Sequence, residues 1–107
     1  MDLVIAYITA GSKEEALRLA RALVAERLAA CANILDGVTS VYHWQGAVEE
    51  ASEAVLIVKT RRALFDALVD RVRALHSYDT PCVVEIALGR GNPDYLDWLR
   101  AETAAPV

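Results

Sequence analysis

The side chains best suited to chemistry lie close together in residues 75–86, LHSYDTPCVVEI. His76, Tyr78, Asp79 and Thr80 fall in quick succession before an apolar run. Imidazole is a common metal ligand and acid–base group near neutral pH, and carboxylate oxygens bind harder cations. The same residues also suit a chain reversal, because Asp caps backbone groups and Pro81 forbids helix. The segment is therefore either a site or only the boundary between a helix and a strand.

Nitrogen and sulfur ligands for a metal are few. The candidates are His43, His76, Cys31 and Cys82, and no two of them have zinc-finger spacing or the i,i+4 spacing of a helical pair. A copper or zinc site needs three or four converging ligands, so His76 needs partners from elsewhere, for example from another subunit. Cys31 and Cys82 are predicted to be small core residues, since unpaired cysteine is among the most buried residue types.

Charged residues in and near a predicted hairpin supply further candidates. Glu49, Glu50 and Glu53 are solvated charges by default, and they become oxygen ligands if a neighbouring subunit brings His76 close. Lys59 lies within a predicted strand, where pairing with a carboxylate is more common than catalysis.

Composition limits the possible partners. The 107 residues are 55% hydrophobic and 24% charged, which suits a single folded domain over residues 1–107. The formal charge of −4 offers no basic surface to a phosphate backbone, so no nucleic-acid partner is expected. No apolar stretch is long enough to span a bilayer, and no cationic segment precedes the first apolar run. These features predict a cytoplasmic protein without membrane insertion.

The hydrophobic pattern predicts the order strand, helix, strand, strand, helix, strand, helix. The predicted strands cover residues 3–9, 33–46, 53–60 and 82–88, and the predicted helices cover residues 13–30, 63–76 and 94–101. Ser12 and Glu15 have the spacing of a capping box at the start of the first helix. Residues 46–50 are predicted to turn the chain between the two middle strands.

This order favours an α+β fold. Both crossovers must be right-handed, and the two middle strands pair as a hairpin. The simplest solution is a ferredoxin-like βαββαβ sandwich with both main helices on one face of an antiparallel sheet, followed by a short C-terminal helix. The first strand is then central, and the strand that carries Tyr42 and Trp44 lies at an edge.

The central hairpin is unusually long. Residues 33–46 would extend about 45 Å at roughly 3.3 Å per residue, whereas a domain of this size has a radius of gyration of about 13 Å. The far end carries Tyr42 and Trp44, and a long apolar edge aggregates unless something pairs with it. We therefore predict a closed oligomer with Tyr42 and Trp44 in its interface. The alternative is that both rings fold back onto their own core.

Several blocks of the sequence resemble the CutA family of divalent-cation tolerance proteins. They are AACANIL followed by GVTSVYHWQG, an acidic segment before LIVKT, then LHSYDTP, and finally GNPDYLDWL. The match follows nearly the whole chain in order. The resemblance implies a ferredoxin-like fold, a cytoplasmic homotrimer, a link to tolerance of copper and other divalent cations, and an architecture similar to that of the PII signalling proteins.

The resemblance also implies candidate site residues. Copper-binding relatives use a first-strand cysteine and a histidine pair, and here the corresponding positions are Ile8 and Leu75-His76, so only His76 carries over. The metal candidates are therefore His76, Glu49 and Glu53. Residues expected in a cleft between subunits are Tyr78, Asp79, Thr80 and Lys59.

Three functions stay open at this point. The first is a homotrimer that binds divalent cations, copper foremost, between its subunits. The second is a PII-like regulatory module that binds a small ligand or a protein partner. The third is an enzyme built on residues 76–80. It ranks last, and the chain is expected not to be an enzyme, because no activated nucleophile, Walker phosphate loop or nucleotide-binding glycine fingerprint is present.

Overall fold

A computed structural model describes residues 2–104 and contains one four-stranded antiparallel sheet with three α-helices. The elements are β1 (Leu3–Ala10), α1 (Lys13–Ala25), β2 (Cys31–Trp44), β3 (Ala47–Arg61), a 3₁₀ turn (Arg62–Leu64), α2 (Phe65–Leu75), β4 (Val83–Ala87) and α3 (Pro93–Ala101). The strand order is β2-β3-β1-β4. The predicted ferredoxin-like arrangement is confirmed, with β1 central and β2 at an edge.

Helix α1 begins where the sequence predicts and ends earlier. The Ser12 hydroxyl accepts the backbone N–H of Glu15 at 3.1 Å, which caps the first turn. The prediction that the helix continues to residue 30 is wrong. Arg27 adopts a left-handed conformation with φ 59, and the N–H of Leu28 bonds to the carbonyl of Leu23 at 3.0 Å. This is a Schellman motif, which satisfies the last carbonyls of the helix and redirects the chain towards β2.

The β2–β3 hairpin turns within two residues, Gln45 and Gly46, with φ values of 49 and 82. Positive φ at both positions is the signature of a type I′ turn, whose twist matches that of the flanking strands. The prediction that residues 46–50 form the turn is therefore wrong, because β3 already begins at Ala47. Further along the hairpin, the register shifts between Leu35 and Val38. The left-handed Gly37, with φ 70, accommodates this bulge.

One face of the sheet is covered by α1 and α2 and forms the main core. Alternate residues of β1 and β3 point into it, among them the fully buried Ile8 and Leu56. Leu19 of α1 and Leu68 of α2 pack against them and are also fully buried. This helix-covered face follows directly from the period-two pattern of the strands and the apolar stripes of the two helices.

The opposite face of the sheet, called the open face below, is covered only near one corner. There Leu99 of α3 packs with Leu3 and Ala30 in a second, smaller core. Elsewhere large apolar side chains are exposed, including Val84 at 52% and Ile86 at 47%. The paired strands β2 and β3 give the molecule a long dimension of 45 Å against 26 and 22 Å.

Candidate functional site

A groove of about 420 Å³ lies at the open face. It is called the open-face groove, and its lining residues are Thr9, Tyr42, Trp44, Glu53, Tyr78, Asp79, Thr80 and Cys82. The volume lies within the range of small-molecule sites, and three of the lining side chains are aromatic. No lysine, arginine or histidine is among these lining residues.

Strand register brings the hairpin residues of the groove onto one face. Glu53 lies directly across from Val38, and Tyr42 lies across from Glu49. Side chains of directly opposed residues point to the same face, and every second residue along a strand does so too. Tyr42, Trp44 and Glu53 therefore all project from the open face.

The α2–β4 loop supplies the other wall of the groove through Tyr78, Asp79 and Thr80. The Tyr78 hydroxyl donates a hydrogen bond to Oε2 of Glu53 at 2.9 Å, which joins this loop to the hairpin. Partial burial, followed by this hydrogen bond, raises the pKa of Tyr78 to about 12. A Cβ at Gly11 would lie 3.3 Å from the Tyr78 hydroxyl oxygen, so glycine allows the ring to sit close to the end of β1.

His76 is held inside the chain beside this loop. Its Nδ1 accepts the backbone N–H of Tyr78 at 3.0 Å, and its Nε2 lies 2.7 Å from the carbonyl oxygen of Thr9. Because Nδ1 is the acceptor, Nε2 carries the proton and donates to Thr9. The side chain is fully buried, and its ring centroid lies 4.7 Å from that of Tyr78. His76 thus ties the α2–β4 loop to the end of β1.

Glu15 anchors the same loop to α1. The backbone N–H of Ser77 donates to its Oε2 at 2.7 Å, and the backbone N–H of Gly11 donates to its Oε1 at 3.1 Å. Burial alone would raise the pKa of this carboxyl. The hydrogen bonds from Ser77 and Gly11 outweigh that effect and hold the pKa below its usual 4.5. Glu15 is therefore a buried, ionised link that fixes one wall of the open-face groove.

Comparison with known proteins identifies the fold and its family together. A profile of the family described as "CutA1 divalent ion tolerance protein" matches residues 4–102. The chain belongs to the CutA1 family. The divalent-cation tolerance protein CutA of Thermus thermophilus is 50% identical over 92% of this chain and 96% of its own length. The resemblance inferred from the sequence blocks is confirmed.

Solved structures and further relatives agree with that assignment. The Thermus thermophilus structure superposes with a TM-score of 0.93, covering 95% of this chain and 99% of its own. The structure of CutA1 from Oryza sativa is 43% identical with a TM-score of 0.95, covering 97% of this chain and 95% of its own. The curated chloroplastic protein from Oryza sativa is longer, and the matched region spans 56% of it. The family is described by cation tolerance and not by a reaction.

Within this CutA1-family chain, the structure brings most of the predicted site residues together. Tyr78, Asp79 and Thr80, expected in a cleft, share one groove with Tyr42 and Trp44, expected in an interface. Glu53 also lies in this groove, whereas Glu49 is not among the residues that line it. Residues 2–104 contain no group of three or more His, Cys, Asp or Glu side chains able to hold a metal ion.

Lys59 lies away from the groove. Its Nζ donates to the Tyr95 hydroxyl at 3.2 Å and lies 5.3 Å from the centroid of that ring. The partner is therefore a tyrosine of α3 and not the carboxylate favoured by the sequence. The Cys31 sulfur lies 3.4 Å from the same hydroxyl.

The burial of the two cysteines differs from what the sequence predicts. Cys31 and Cys82 are half-buried, so the prediction that both are core residues is wrong. Cys31 sits on the edge strand β2, which has a neighbour on one side only, and Cys82 precedes β4 at the groove. Both positions lie where the sheet ends and cover is incomplete.

Two contributors to the site, Thr9 and Glu15, are not singled out as site residues by the sequence, and Cys82 is considered only as a candidate metal ligand and core residue. Thr9 and Cys82 line the groove because the Thr9 N–H bonds to the Cys82 carbonyl at 3.4 Å, a pairing between distant segments. Glu15 is recognised as a capping residue, and its bond to Ser77 depends on how α1 meets the α2–β4 loop. The capping-box spacing of Ser12 and Glu15 is the one sequence signal that draws attention to Glu15, and it points to a helix start and not to this contact.

None of the helices described over residues 2–104 is long and apolar enough to cross a membrane.

Proposed function

We propose that this CutA1-family protein acts as a cytoplasmic homotrimer that binds divalent cations, copper foremost, and so contributes to divalent-cation tolerance. The observation that carries this proposal is the exposed apolar surface of the open face and the hairpin. Val84, Ile86, Tyr42 and Trp44 expose between 42% and 57% of their surface in the isolated chain. Apolar surface on this scale marks an interaction site.

The hairpin supports self-association as the use of this surface. Strand β2 is an edge strand, with one row of backbone groups free to pair. Trp44 lies at the end of β2 and is 57% exposed. Tryptophan is among the residues that most often anchor protein interfaces. Docking each hairpin on a neighbouring copy through the free edge of β2 would pair those backbone groups and cover part of the Trp44 indole. Three copies arranged in a ring leave no free β2 edge.

The divalent cation would take its ligands from more than one copy. Residues 2–104 of a single chain do not assemble three candidate ligands, which favours a shared site between subunits. Glu53 and Glu49 are the proposed carboxylate ligands, and hard oxygen donors of this kind suit several divalent ions. His76 could join them as a nitrogen ligand only after giving up a hydrogen bond to Thr9 or Tyr78.

Calorimetric titration of metal-free protein with Cu²⁺ and Zn²⁺, with sedimentation velocity on the same samples, tests this proposal. Saturable binding to a trimer is expected, together with weaker binding by Glu53→Gln and Glu49→Gln. Unchanged heats in His76→Ala would remove His76 from the metal site. A trimer that binds neither ion at micromolar concentration would refute the metal role and leave the assembly standing.

A second candidate is a regulatory module like the PII proteins, which binds a small ligand. The open-face groove favours it, since about 420 Å³ lined by three aromatic rings is a size and composition suited to an organic molecule. An enzyme is not proposed. The Tyr78 phenol, with its pKa of about 12 and its hydroxyl donating a hydrogen bond to Glu53, is a poor acid–base group near neutral pH.

Compartment is part of the same proposal. The Oryza sativa relative is named chloroplastic, and the solved CutA of Archaeoglobus fulgidus is described as periplasmic. Cytoplasmic residence of the present chain rests on its own sequence, and cell fractionation with an antibody against the full chain tests it. Recovery in a periplasmic fraction would contradict it.

A further inference from the structure

The lining of the open-face groove has a distinct chemical character. Tyr42, Trp44 and Tyr78 contribute aromatic rings, and Glu53 and Asp79 contribute carboxylates. Among residues 2–104, no basic side chain forms an ion pair with either carboxylate. The groove therefore combines aromatic faces with negative charge that the chain itself does not neutralise.

Glu53 is positioned to interact with a ligand. Glu53 as a whole residue is half-buried, and its Oε2 accepts a hydrogen bond from the Tyr78 hydroxyl at 2.9 Å. No hydrogen bond among the described residues uses its Oε1. One hydrogen bond thus orients the carboxylate and leaves Oε1 able to accept another, in a residue that lines the groove.

We propose that the open-face groove binds an organic ammonium cation, with the nitrogen centre against the aromatic rings and close to Glu53. Aromatic faces attract such cations through the ring quadrupole, and the attraction grows as the cation loses water. The carboxylate of the half-buried residue Glu53 adds a Coulomb attraction that the groove walls screen less than bulk water does. An anionic ligand would meet two carboxylates and no compensating base, and a neutral ligand would gain nothing from the charge.

This proposal goes beyond the divalent-cation role and gives a ligand class to the regulatory alternative. A bare metal ion gains most from several converging oxygen, nitrogen or sulfur ligands, which the described residues of one chain do not bring together. An organic cation needs only one or two carboxylates and a set of ring faces, and the groove supplies both. The negative charge and the aromatic surface together therefore favour an organic cation over a bare metal ion in the groove.

The test uses choline chloride and its uncharged isostere 3,3-dimethyl-1-butanol on the full-length protein in EDTA. The two molecules have the same shape and differ in the positive charge. The chain has two tryptophans, so Trp98→Phe leaves Trp44 as the only indole reporter of the groove. We expect saturable change in Trp44 fluorescence with choline, and binding of the isostere weaker by about tenfold or more.

Matched variants assign the effect to the groove. Glu53→Gln should weaken choline binding about fivefold to tenfold, and Asp79→Asn should weaken it less, because Asp79 is exposed. Glu50→Gln changes the net charge equally, but it lies across from Val41 on the other face of the ribbon and should have no effect. All three carboxamide variants keep side-chain size, and circular dichroism verifies that each is folded.

Three results would overturn the proposal: equal binding of choline and its isostere, equal loss in Glu50→Gln and Glu53→Gln, or no binding of choline by the assembled protein. Because the titrations contain EDTA, each of these failures leaves the Cu²⁺ and Zn²⁺ measurements unaffected, and a failure of the metal role leaves the choline result unaffected.

Discussion

The two faces of the sheet are made by the same strands, yet one is buried under helices and the other is largely exposed. Ile8 on the helix-covered face is fully buried, whereas Ile86 on the open face exposes 47% of its surface. The first face is complete within one chain because α1 and α2 cover it. The open face is covered only by α3 at one corner, and aromatic rings and carboxylates of the hairpin lie along it. Stability of the chain should therefore depend on the first face, and association and ligand binding on the second.

The largest test of this difference is a matched pair of isoleucine substitutions. Ile8→Ala should reduce the free energy of unfolding by about 3 to 4 kcal/mol, because it leaves a cavity in a closed core. Ile86→Ala should cost about 1 kcal/mol or less in dilute solution, since half of the side chain is already in water. Urea unfolding at several protein concentrations measures both. Equal losses at every concentration would abolish the distinction between the faces.

Trp44→Ala tests whether the open side serves assembly. Truncating the indole at the proposed interface should weaken the proposed trimer by about 2 kcal/mol or more per interface, while the secondary structure stays intact. Sedimentation velocity measures the mass, and far-ultraviolet circular dichroism measures the fold. Trp98→Ala removes an indole of similar exposure from α3 and should leave the mass unchanged. An unaltered trimer in Trp44→Ala would argue that the hairpin ends do not hold the copies together.

Glu15→Gln tests the polar link on the helix-covered side. The loss of a buried, hydrogen-bonded carboxylate should cost about 2 kcal/mol at pH 7. Because the pKa of Glu15 is lowered by folding, its contribution is complete above its usual 4.5 and disappears as the pH falls through the lower folded value. The difference between wild type and variant should shrink towards pH 3. Denaturant titrations from pH 3 to 7 measure it.

The neighbouring Glu14→Gln supplies the control for that series. Glu14 is exposed in the same first turn of α1, so it should leave the acid limb of the stability profile unchanged. A constant difference between wild type and Glu15→Gln at every pH would show that the carboxylate charge is not what matters.

Tyr78→Phe should have the smallest effect, about 1 kcal/mol, since one hydrogen bond to a half-buried carboxylate is lost. Burial and Glu53 raise the pKa of Tyr78 to about 12, so its contribution is complete below its usual 10 and is lost as the pH rises through the folded value. Subtracting the spectrophotometric titration curve of Tyr78→Phe from that of the wild type should therefore show one phenol that ionises near pH 12. Glu53→Gln should move that transition towards 10.

Much of the fold could be predicted because it follows from local pattern. The apolar run of β1, the helical stripes of α1 and α2, and Pro81 each restrict their own segment to one structure. The sequence also indicated that Tyr42 and Trp44 lie on an edge strand and that residues 78–80 follow a helix end. Its errors were local choices with competing solutions, as at the end of α1, where Arg27 takes a left-handed conformation more typical of glycine.

The site was less predictable because it joins segments far apart in the chain. The bond between Tyr78 and Glu53 depends on the loop after α2 meeting the hairpin, and the partner of Lys59 depends on where α3 docks. The sequence places Tyr42 in an interface and Asp79 in a cleft, but it does not connect the two residues. Their meeting in one groove cannot be read from the periodicity of either segment.

The sequence by itself determined the element order, the central position of β1, the long hairpin and the excess of apolar surface on its edge strand. Those properties arise from residue spacing and chain connectivity, which are local or topological. Only the tertiary structure decided that Glu15 and His76 would fasten the α2–β4 loop, and that Tyr78 would share a groove with Trp44. Hydrogen bonds and cavities depend on distances of a few ångströms between remote residues, and packing of the whole chain is what sets those distances.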